Sequence, residues 1–477
     1  MYITTTIPYV NARPHLGHAL EFVQGDVLAR HYRSRGEPVR FQTGTDDNSL
    51  KNVLAAEAEG VPVRELVDRN AAAFEGLRES YDLSFDSFIR TSHHPGHRPG
   101  VERIWRAIDG DLYQRHYEGL YCVGCEQFYN EGSCPEHEAP LQHISERNWF
   151  FRLSRYQDAL LDLIRGGRLR IEPAARRNEV LAFIEAGLAD ISVSRAADRA
   201  RGWGIPVPDD PSQVVYVWWD ALANYVTALD GGDYDRWWVA EPRKVHLMGK
   251  GVIRFHAVYW PAMLLAAGLP LPAEIFVHDY LTVGGRKISK SAGTPADAEA
   301  IARAYGADAV RWWLLREVPR VGDADFTVER LVARADEDLA NGVGNLVNRV
   351  VTMVHRFQDG VVPTVAVDGE AGRGLVDACE SAPGRVHEAL EDFDFRRAAA
   401  AVWTIVEEAN KYVERVQPWR QEPGDRETSL ATLVHACRAL AGQLAPFLPT
   451  GAARVAAAVS GERLPRPQPL FPRLAGC

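Results

Sequence analysis

The chain opens Met1-Tyr2-Ile3-Thr4-Thr5-Thr6-Ile7-Pro8-Tyr9-Val10-Asn11-Ala12-Arg13-Pro14-His15-Leu16-Gly17-His18. β-Branched and aromatic residues dominate its first seven positions, which fits a strand and not a charged, then apolar, leader. Pro8 and Asn11 supply a turn. From His15 onward, Leu16, Ala19, Leu20, Val23 and Val27 recur at helical spacing, and Gly36 and Pro38 close that helix. Residues 39–43 read as a second strand, with helices expected near 49–60 and 63–81. Strand, helix, strand, helix at this spacing predicts an α/β domain built on a doubly wound, Rossmann-like parallel sheet.

Working outward, the texture changes near Leu112, where short strand-like pieces surround a cysteine cluster. Residues 109–211 are expected to be an insertion that splits the first domain into 1–108 and 212–270. Two aromatic pieces, 203–206 and 214–219, mark the return to a core layer. Strands are expected at 245–248 and 275–277, with a long helix at 254–267 between them, and 271–330 forms a linking region. Beyond residue 330 the strand patterns stop. Stretches 331–358, 372–391, 394–415 and 427–459 show helical periodicity, for example the stripe Val343, Leu346, Val347, Val350, Val354 and Phe357. Residues 331–477 therefore read as an all-α helix bundle, with a Pro-rich tail at 465–472 lying extended along the surface.

The 477 residues are 46% hydrophobic and 25% charged, which excludes a disordered, collagen-like or coiled-coil chain. Lys+Arg total 54 against 64 for Asp+Glu, a net charge of −10. Binding nucleic acid through bulk positive charge is excluded, so any such partner must meet a local patch. The longest uncharged run, 255–273, contains Pro261, Pro270 and Pro272 and reads as buried helix and loop, not a membrane span. A chain with this opening is expected in the cytoplasm.

Three groups of residues carry chemistry. His15-Leu16-Gly17-His18 follows a strand and turn at a helix start; His15 and His18 are three apart and share a face. Gly17 permits close approach of a ligand, and the helix N-terminus suits phosphate. Lys287-Ile288-Ser289-Lys290-Ser291 follows Leu281-Thr282-Val283-Gly284-Gly285, whose glycine pair fits a two-residue hairpin turn. Lys287 and Lys290, with the neighbouring hydroxyls, can grasp a triphosphate. Cys122-Val123-Gly124-Cys125 and Cys134-Pro135-Glu136-His137 form paired knuckles: three thiolates and one imidazole make a closed tetrahedral zinc site with no position for a catalytic water. Cys379, Cys437 and Cys477 have no such neighbours.

His15–His18 and Lys287–Ser291 resemble, in order and context, the two hallmark motifs of the class I aminoacyl-tRNA synthetases. Nearly the whole chain is similar to the methionyl-tRNA synthetase family, through Pro8-Tyr9-Val10-Asn11, Gly44-Thr45-Asp46, Asn178-Glu179-Val180-Leu181, Tyr216-Val217-Trp218 with Asp220-Ala221, and Phe255-His256. The resemblance implies ATP-dependent formation of methionyl-adenylate and transfer to the 3′ end of a CAU-anticodon tRNA, with magnesium accompanying ATP. His15, His18, Lys287 and Lys290 become catalytic; His15, Gly17, His18, Lys287, Ser289 and Lys290 bind ATP. Asp46 pairs with the methionine ammonium, and Ile7, Tyr9, Trp218, Ala221, Leu222, Tyr225 and His256 surround its side chain. A polarizable thioether packs well against such rings. Phe255 and Trp260 are read as core. Asn345 and Arg349, four residues apart on one helix face, and the Pro418-Trp419 corner would read the anticodon by edge donors and base stacking. The zinc site resembles the knuckle in the insertion of many of these enzymes. With no further domain after the bundle, a monomer is expected.

Two departures stand out. Gly251 follows Gly249-Lys250 where the family usually has an aspartate, and Asp46-Asp47-Asn48-Ser49 replaces an Asp-Glu-His-Gly or Asp-Ala-His-Gly run. These leave room for a specialised paralogue. A tRNA-independent adenylating ligase would have no reason to keep Asn345, Arg349 and Trp419, and a non-catalytic tRNA-binding relative no reason to keep both ATP motifs.

Overall fold

The computed structural model describes residues 1–122, 127–129, 141–288 and 296–474. The chain divides into two compact units, one of residues 1–14, 39–75 and 85–277, the other of 15–38, 76–84 and 278–477. The expected first strand and first helix thus fall in different units.

The first unit is built on the expected sheet. β1 (Tyr2–Thr5), β2 (Arg40–Thr45) and β3 (Ser87–Arg90) lie side by side, and the six-strand order continues from β1 through Lys244–Gly249 and Glu274–His278 to Arg170–Glu172. β1 pairs in parallel with β2 and with Lys244–Gly249, and β2 with β3. All four residues of β1 are buried, as a sheet covered on both faces requires. Arg170–Glu172 lies inside the stretch read as an insertion, yet it forms the edge of this sheet, parallel to Glu274–His278. Leu112–Cys122 and Gln142–Phe151 make a long antiparallel ribbon, paired from Leu112↔Phe151 to Tyr121↔Gln142. One continuous core joins Tyr2, Trp105, Phe151, Trp219, Trp238 and Trp260.

The helix expected over 254–267 is interrupted: a wide π turn, Phe255–Tyr259, precedes the α-helix Trp260–Ala266. Pro261 has no N–H to donate to the preceding turn, so the regular ladder cannot run through it.

In the second unit, α1 (Leu16–Ser34) is fixed by a buried ion pair. Asp26 Oδ2 lies 2.8 Å from Arg311 Nη2, and both side chains are fully buried. Arg311, on helix Ala307–Arg316, also donates to the carbonyls of Tyr81, Pro446 and Phe447. Burial raises the Asp26 carboxyl, but Arg311, Arg30 and the Ser84 hydroxyl outweigh it and hold it below the usual carboxylate range.

The bundle helices are Asn345–Gln358, Arg373–Glu391, Phe395–Val416, Pro423–Leu444 and Pro449–Ala458. The helix expected over 427–459 is two, because Pro446 and Pro449 break it. Of the predicted stripe, Val343, Leu346, Val347, Val350 and Val354 are buried, while Phe357 lies under the Arg426 guanidinium at 4.5 Å. The tail is not wholly on the surface: Leu470 and Phe471 are buried, and Arg454 lies over the Phe471 ring.

Candidate active site

The imidazoles of His15 and His18 are built into the start of α1. Gly17 N–H donates to His15 Nδ1 and His15 N–H to His18 Nδ1, each at 3.1 Å, a reciprocal cap of the kind that satisfies helix-end donors. With Nδ1 accepting in both neutral rings, each ring proton sits on Nε2. The rings stack, with centroids 3.8 Å apart. The result is a pair of parallel imidazoles, each an Nε2–H donor, suited to phosphate oxygens.

The first N–H groups of α1 are themselves engaged. Leu16 N–H donates to Ala296 O at 3.0 Å, Gly17 N–H to His15 Nδ1, and His18 N–H to His15 O at 2.9 Å. The helix-end amides that the sequence offered to a phosphate are therefore taken up within the protein. Gly17 has a local reason to be glycine: a Cβ there would lie 2.9 Å from His15 Cε1 and 3.0 Å from its Nδ1.

The lysine segment starts from the predicted hairpin. Leu281–Val283 pairs antiparallel with Arg286–Lys287, and Gly284 and Gly285 both adopt positive φ, +60° and +73°, as a two-residue turn demands. Ser289, Lys290 and Ser291 lie outside the described residues. The chain is described again at Ala296 and Asp297, and there it meets the histidine motif: besides the Leu16–Ala296 bond, His15 and Asp297 form an antiparallel bridge. Asp297 also caps the next helix by accepting from Ala300 N–H at 2.8 Å. Ala296 and Asp297, which follow the lysine motif in the chain, are thus tied to His15–Leu16.

In the first unit, Tyr9 and Asp46 pair just beyond β1 and β2, at the carboxyl ends of the strands, where α/β sheets bind ligands. Asp46 is buried, its N–H donating to Pro8 O at 3.0 Å. Trp218 sits edge-on to Tyr9, with ring centroids 6.0 Å apart, and at 6.4 Å from His256. Tyr225 lies 5.7 Å from His256 between ring centroids. His256 Nδ1 contacts Val252 O, which can only accept, so Nδ1 carries the proton and Nε2 accepts from the Tyr225 hydroxyl at 2.7 Å. Tyr9, Asp46, Trp218, Tyr225 and His256 are therefore brought together. Ala221 and Leu222 are buried on the same helical turn as Trp218, and Ile7 is half-buried beyond β1.

Two residues that the sequence did not assign to this group border it. Phe255, read as core, is indeed buried in the core and also stacks on Trp218 at 3.9 Å. His246 lies 4.2 Å from the Tyr225 ring; burial pushes its imidazole well below the usual value, so it is neutral, and Trp260 Nε1–H donates to its Nε2. Adjacency of Phe255 to His256 was the available signal.

The departures have local explanations. Ser49 caps helix Leu50–Glu59 by accepting from Lys51 N–H. Asn48 Nδ2 donates to Asp220 Oδ2 at 2.8 Å. Gly251 is exposed in a short turn, Lys250–Val252.

In the bundle, Asn345 is exposed and Arg349 is half-buried, with Nη2 donating to Asn410 Oδ1 at 2.6 Å. Burial lowers the Arg349 guanidinium from its ordinary value, against the pull of Glu414. Trp419 is 45% exposed on the turn Pro418–Arg420, whose Pro418 carbonyl accepts from Arg426. A core role for Trp419 is excluded by that exposure. Arg349 and Trp419 both attach to the last turns of helix Phe395–Val416, one through Asn410 and the other by chain connection.

Cys122 is buried at the end of its strand and pairs across to Gln127. Cys125, Cys134 and His137 lie outside the described residues, so the zinc expectation rests on the donor set: three thiolates and an imidazole at knuckle spacing fit zinc. Among the described residues no helix is long and apolar enough to cross a membrane.

The family model for tRNA synthetases class I (M) matches residues 1–143 and 134–351, and that for the anticodon binding domain of methionyl tRNA ligase matches 362–473. The chain belongs to the class I tRNA synthetases. Within them it falls in the methionyl group. The methionine–tRNA ligase of Brucella suis is 38% identical over 505 residues, covering 99% of this chain and 97% of the relative. That of Mycobacterium bovis is 39% identical over 512 residues with the same coverage. A crystal structure of Mycobacterium tuberculosis methionyl-tRNA synthetase bound by methionyl-adenylate matches with a TM-score of 0.92 at 37% identity, over 99% of each chain. The apo form of that enzyme matches at 0.86 and 35% identity, over 99% of this chain and 97% of that one.

Proposed function

We propose that this chain is a methionine–tRNA ligase, which activates L-methionine with ATP and transfers it to the 3′ end of tRNA(Met). The observation that carries the reading is the pair of stacked Nε2–H imidazoles, tied through Leu16 and His15 to Ala296 and Asp297, a few residues beyond the lysine motif. The chain that follows the lysine motif thus returns to the histidine motif, which supports reading the two as parts of one phosphate-binding element.

In the first step the methionine carboxylate oxygen attacks the α-phosphorus of ATP. A carboxylate–phosphorus bond forms, the bond from that phosphorus to the bridging oxygen breaks, and pyrophosphate leaves with the electron pair. His15 and His18 donate to the phosphates, with Gly17 holding His15 in place, and Lys287, Ser289 and Lys290 take up charge on the departing group. Because no covalent enzyme intermediate forms, positioning and electrostatics supply the rate. Magnesium accompanies ATP, as in class I synthetases generally. Asp46 binds the methionine ammonium; Ile7, Tyr9, Trp218, Ala221, Leu222, Tyr225 and His256 hold the side chain. With His256 Nε2 accepting from Tyr225, that edge of the wall offers a thioether ring surface and no competing charge. In the second step the 2′-hydroxyl of the terminal adenosine attacks the methionyl carbonyl carbon and AMP leaves.

Asn345, Arg349, Pro418 and Trp419 read the CAU anticodon, supported by the exposure of Trp419 and Asn345. The match of residues 362–473 to a methionyl anticodon domain speaks against a tRNA-independent ligase. Domain limits of 1–108 with 212–270, 109–211, 271–330 and 331–477 organise this reading. Cys122, Cys125, Cys134 and His137 hold one structural zinc, which takes no part in the reaction. We place the enzyme in the cytoplasm as a monomer. The test is ATP–pyrophosphate exchange with each of the twenty amino acids: methionine alone should support it. Exchange driven by another amino acid, or none with methionine, overturns the assignment.

A further inference from the structure

Asp220 is buried and uses both carboxylate oxygens. Its Oδ1 lies 2.5 Å from His97 Nε2, and its Oδ2 receives the Asn48 amide at 2.8 Å. Since the carboxylate accepts, His97 Nε2 carries a proton there, and its Nδ1 meets the Thr227 hydroxyl at 2.6 Å. His97, Asp220 and Thr227 are all buried. The backbone is shaped for this contact. Gly100 lies one turn beyond His97 on helix His97–Ala107, and a Cβ there would stand 2.4 Å from Thr227 Cγ2. Any larger residue would press on Thr227, the partner of His97 Nδ1.

Asn48 forms the other side. Its own N–H donates to Asp46 Oδ1 at 3.1 Å, so it holds the orientation of the Asp46 carboxylate while its side chain grips Asp220. Asp220 shares the short helix Val217–Leu222 with Trp218, Ala221 and Leu222. Asp46–Asn48 carries one end of the amino-acid site, and that helix carries the wall at the other.

We propose that Asp220, braced by His97, is a positioning residue for the amino-acid site. Through Asn48 it fixes the span from the Asp46 carboxylate to the Trp218 wall, and so selects side-chain length. This rests on the reading of Asp46 and Trp218 as the methionine-binding pair. A histidine at position 48 can also donate to Asp220, which reconciles the Asn48 departure with the family pattern.

The test measures KM and kcat in ATP–pyrophosphate exchange for methionine and for ethionine, one methylene longer, together with the ATP KM and thermal melting. Asn48→Ala should raise the methionine KM about tenfold, a change of about 1.4 kcal/mol. It should also cut the methionine-to-ethionine preference by a similar factor, leaving the ATP KM and melting temperature near wild type. Asn48→His should restore both methionine parameters, and Asp220→Asn should act like Asn48→Ala. An unchanged methionine KM and preference in folded Asn48→Ala overturns the proposal. So does a raised KM with unchanged preference and no rescue by Asn48→His. Asp46→Asn separates the two layers. If Asp46→Asn leaves the methionine KM unaltered, the pocket reading falls and the proposal with it. If Asp46→Asn raises the KM and Asn48→Ala does not, the proposal alone falls.

Discussion

Replacing Gly17 with alanine separates the two reasons a glycine could stand between the motif histidines. The added Cβ would sit 2.9 Å from His15 Cε1 and 3.0 Å from Nδ1, closer than real Cβ contacts, with the ring itself as the obstacle. The His15 ring must swing away. That breaks the Gly17 N–H···Nδ1 bond at 3.1 Å and the stack with His18 at 3.8 Å. Losing a helix cap costs about 1 kcal/mol. Alanine in place of glycine within a helix returns up to about 1 kcal/mol. The two nearly cancel, so Gly17→Ala should melt within a few degrees of wild type. Activation should suffer far more. A hydrogen bond to a charged group is worth about 1.5–3 kcal/mol, and each 1.36 kcal/mol is about tenfold in rate, so displacing one imidazole from the phosphates should slow adenylate formation by about 10- to 100-fold. The assays are ATP–pyrophosphate exchange at saturating methionine and calorimetry on the same preparation. Wild-type exchange in Gly17→Ala, or a collapse of melting and exchange together, would refute the reasoning.

Trp419→Ala should leave methionine activation and melting unchanged and cut charging of a CAU-anticodon tRNA about 10- to 100-fold, since a lost base stack is worth about 1–3 kcal/mol and the ring is 45% exposed; equal charging by both proteins removes it from the anticodon site. Asp26→Asn should lower unfolding free energy at neutral pH by about 3–5 kcal/mol, because Arg311 is left buried without its counter-charge. The Asp26 carboxyl is held below its ordinary value in the fold, so its contribution is present above about pH 4 and is lost as pH falls through the folded value; denaturant titrations should show the two proteins converging in acid, and a constant gap contradicts the ion-pair account. Purified protein should carry about one zinc per chain, and Cys122→Ser should lower that content; elemental analysis showing no zinc, or no change in the variant, dismisses the site.

What was legible in the sequence was local or periodic. The alternation of β1 and α1, the glycine hairpin at 284–285 and the bundle stripe all follow from patterns a few residues long. The histidine and lysine motifs were visible as residue types. The bond from Leu16 to Ala296, beyond the lysine motif, was not, because it depends on a contact across 280 positions of chain. Gly17 was read as space for a ligand, but its neighbour's ring is the nearer constraint. Phe255 was rightly read as core, but nothing in its apolar surroundings marks which face meets Trp218. Asn48 looked like a lost histidine; its partner Asp220 lies 172 residues away and only folding pairs them. Arg170–Glu172 was hidden because three residues carry too little alternation to announce an edge strand.

The central claim is that one chain both activates methionine and delivers it to a tRNA chosen by its anticodon. The most direct measurement is charging with labelled methionine of two tRNA transcripts identical except for the anticodon, CAU in one and altered in the other. Methionine should appear on the CAU transcript with one AMP and one pyrophosphate released per charged molecule, and the altered transcript should charge at least about tenfold less well, the equivalent of one lost base contact. Equal charging of the two, or AMP release without any charged tRNA, would contradict the account.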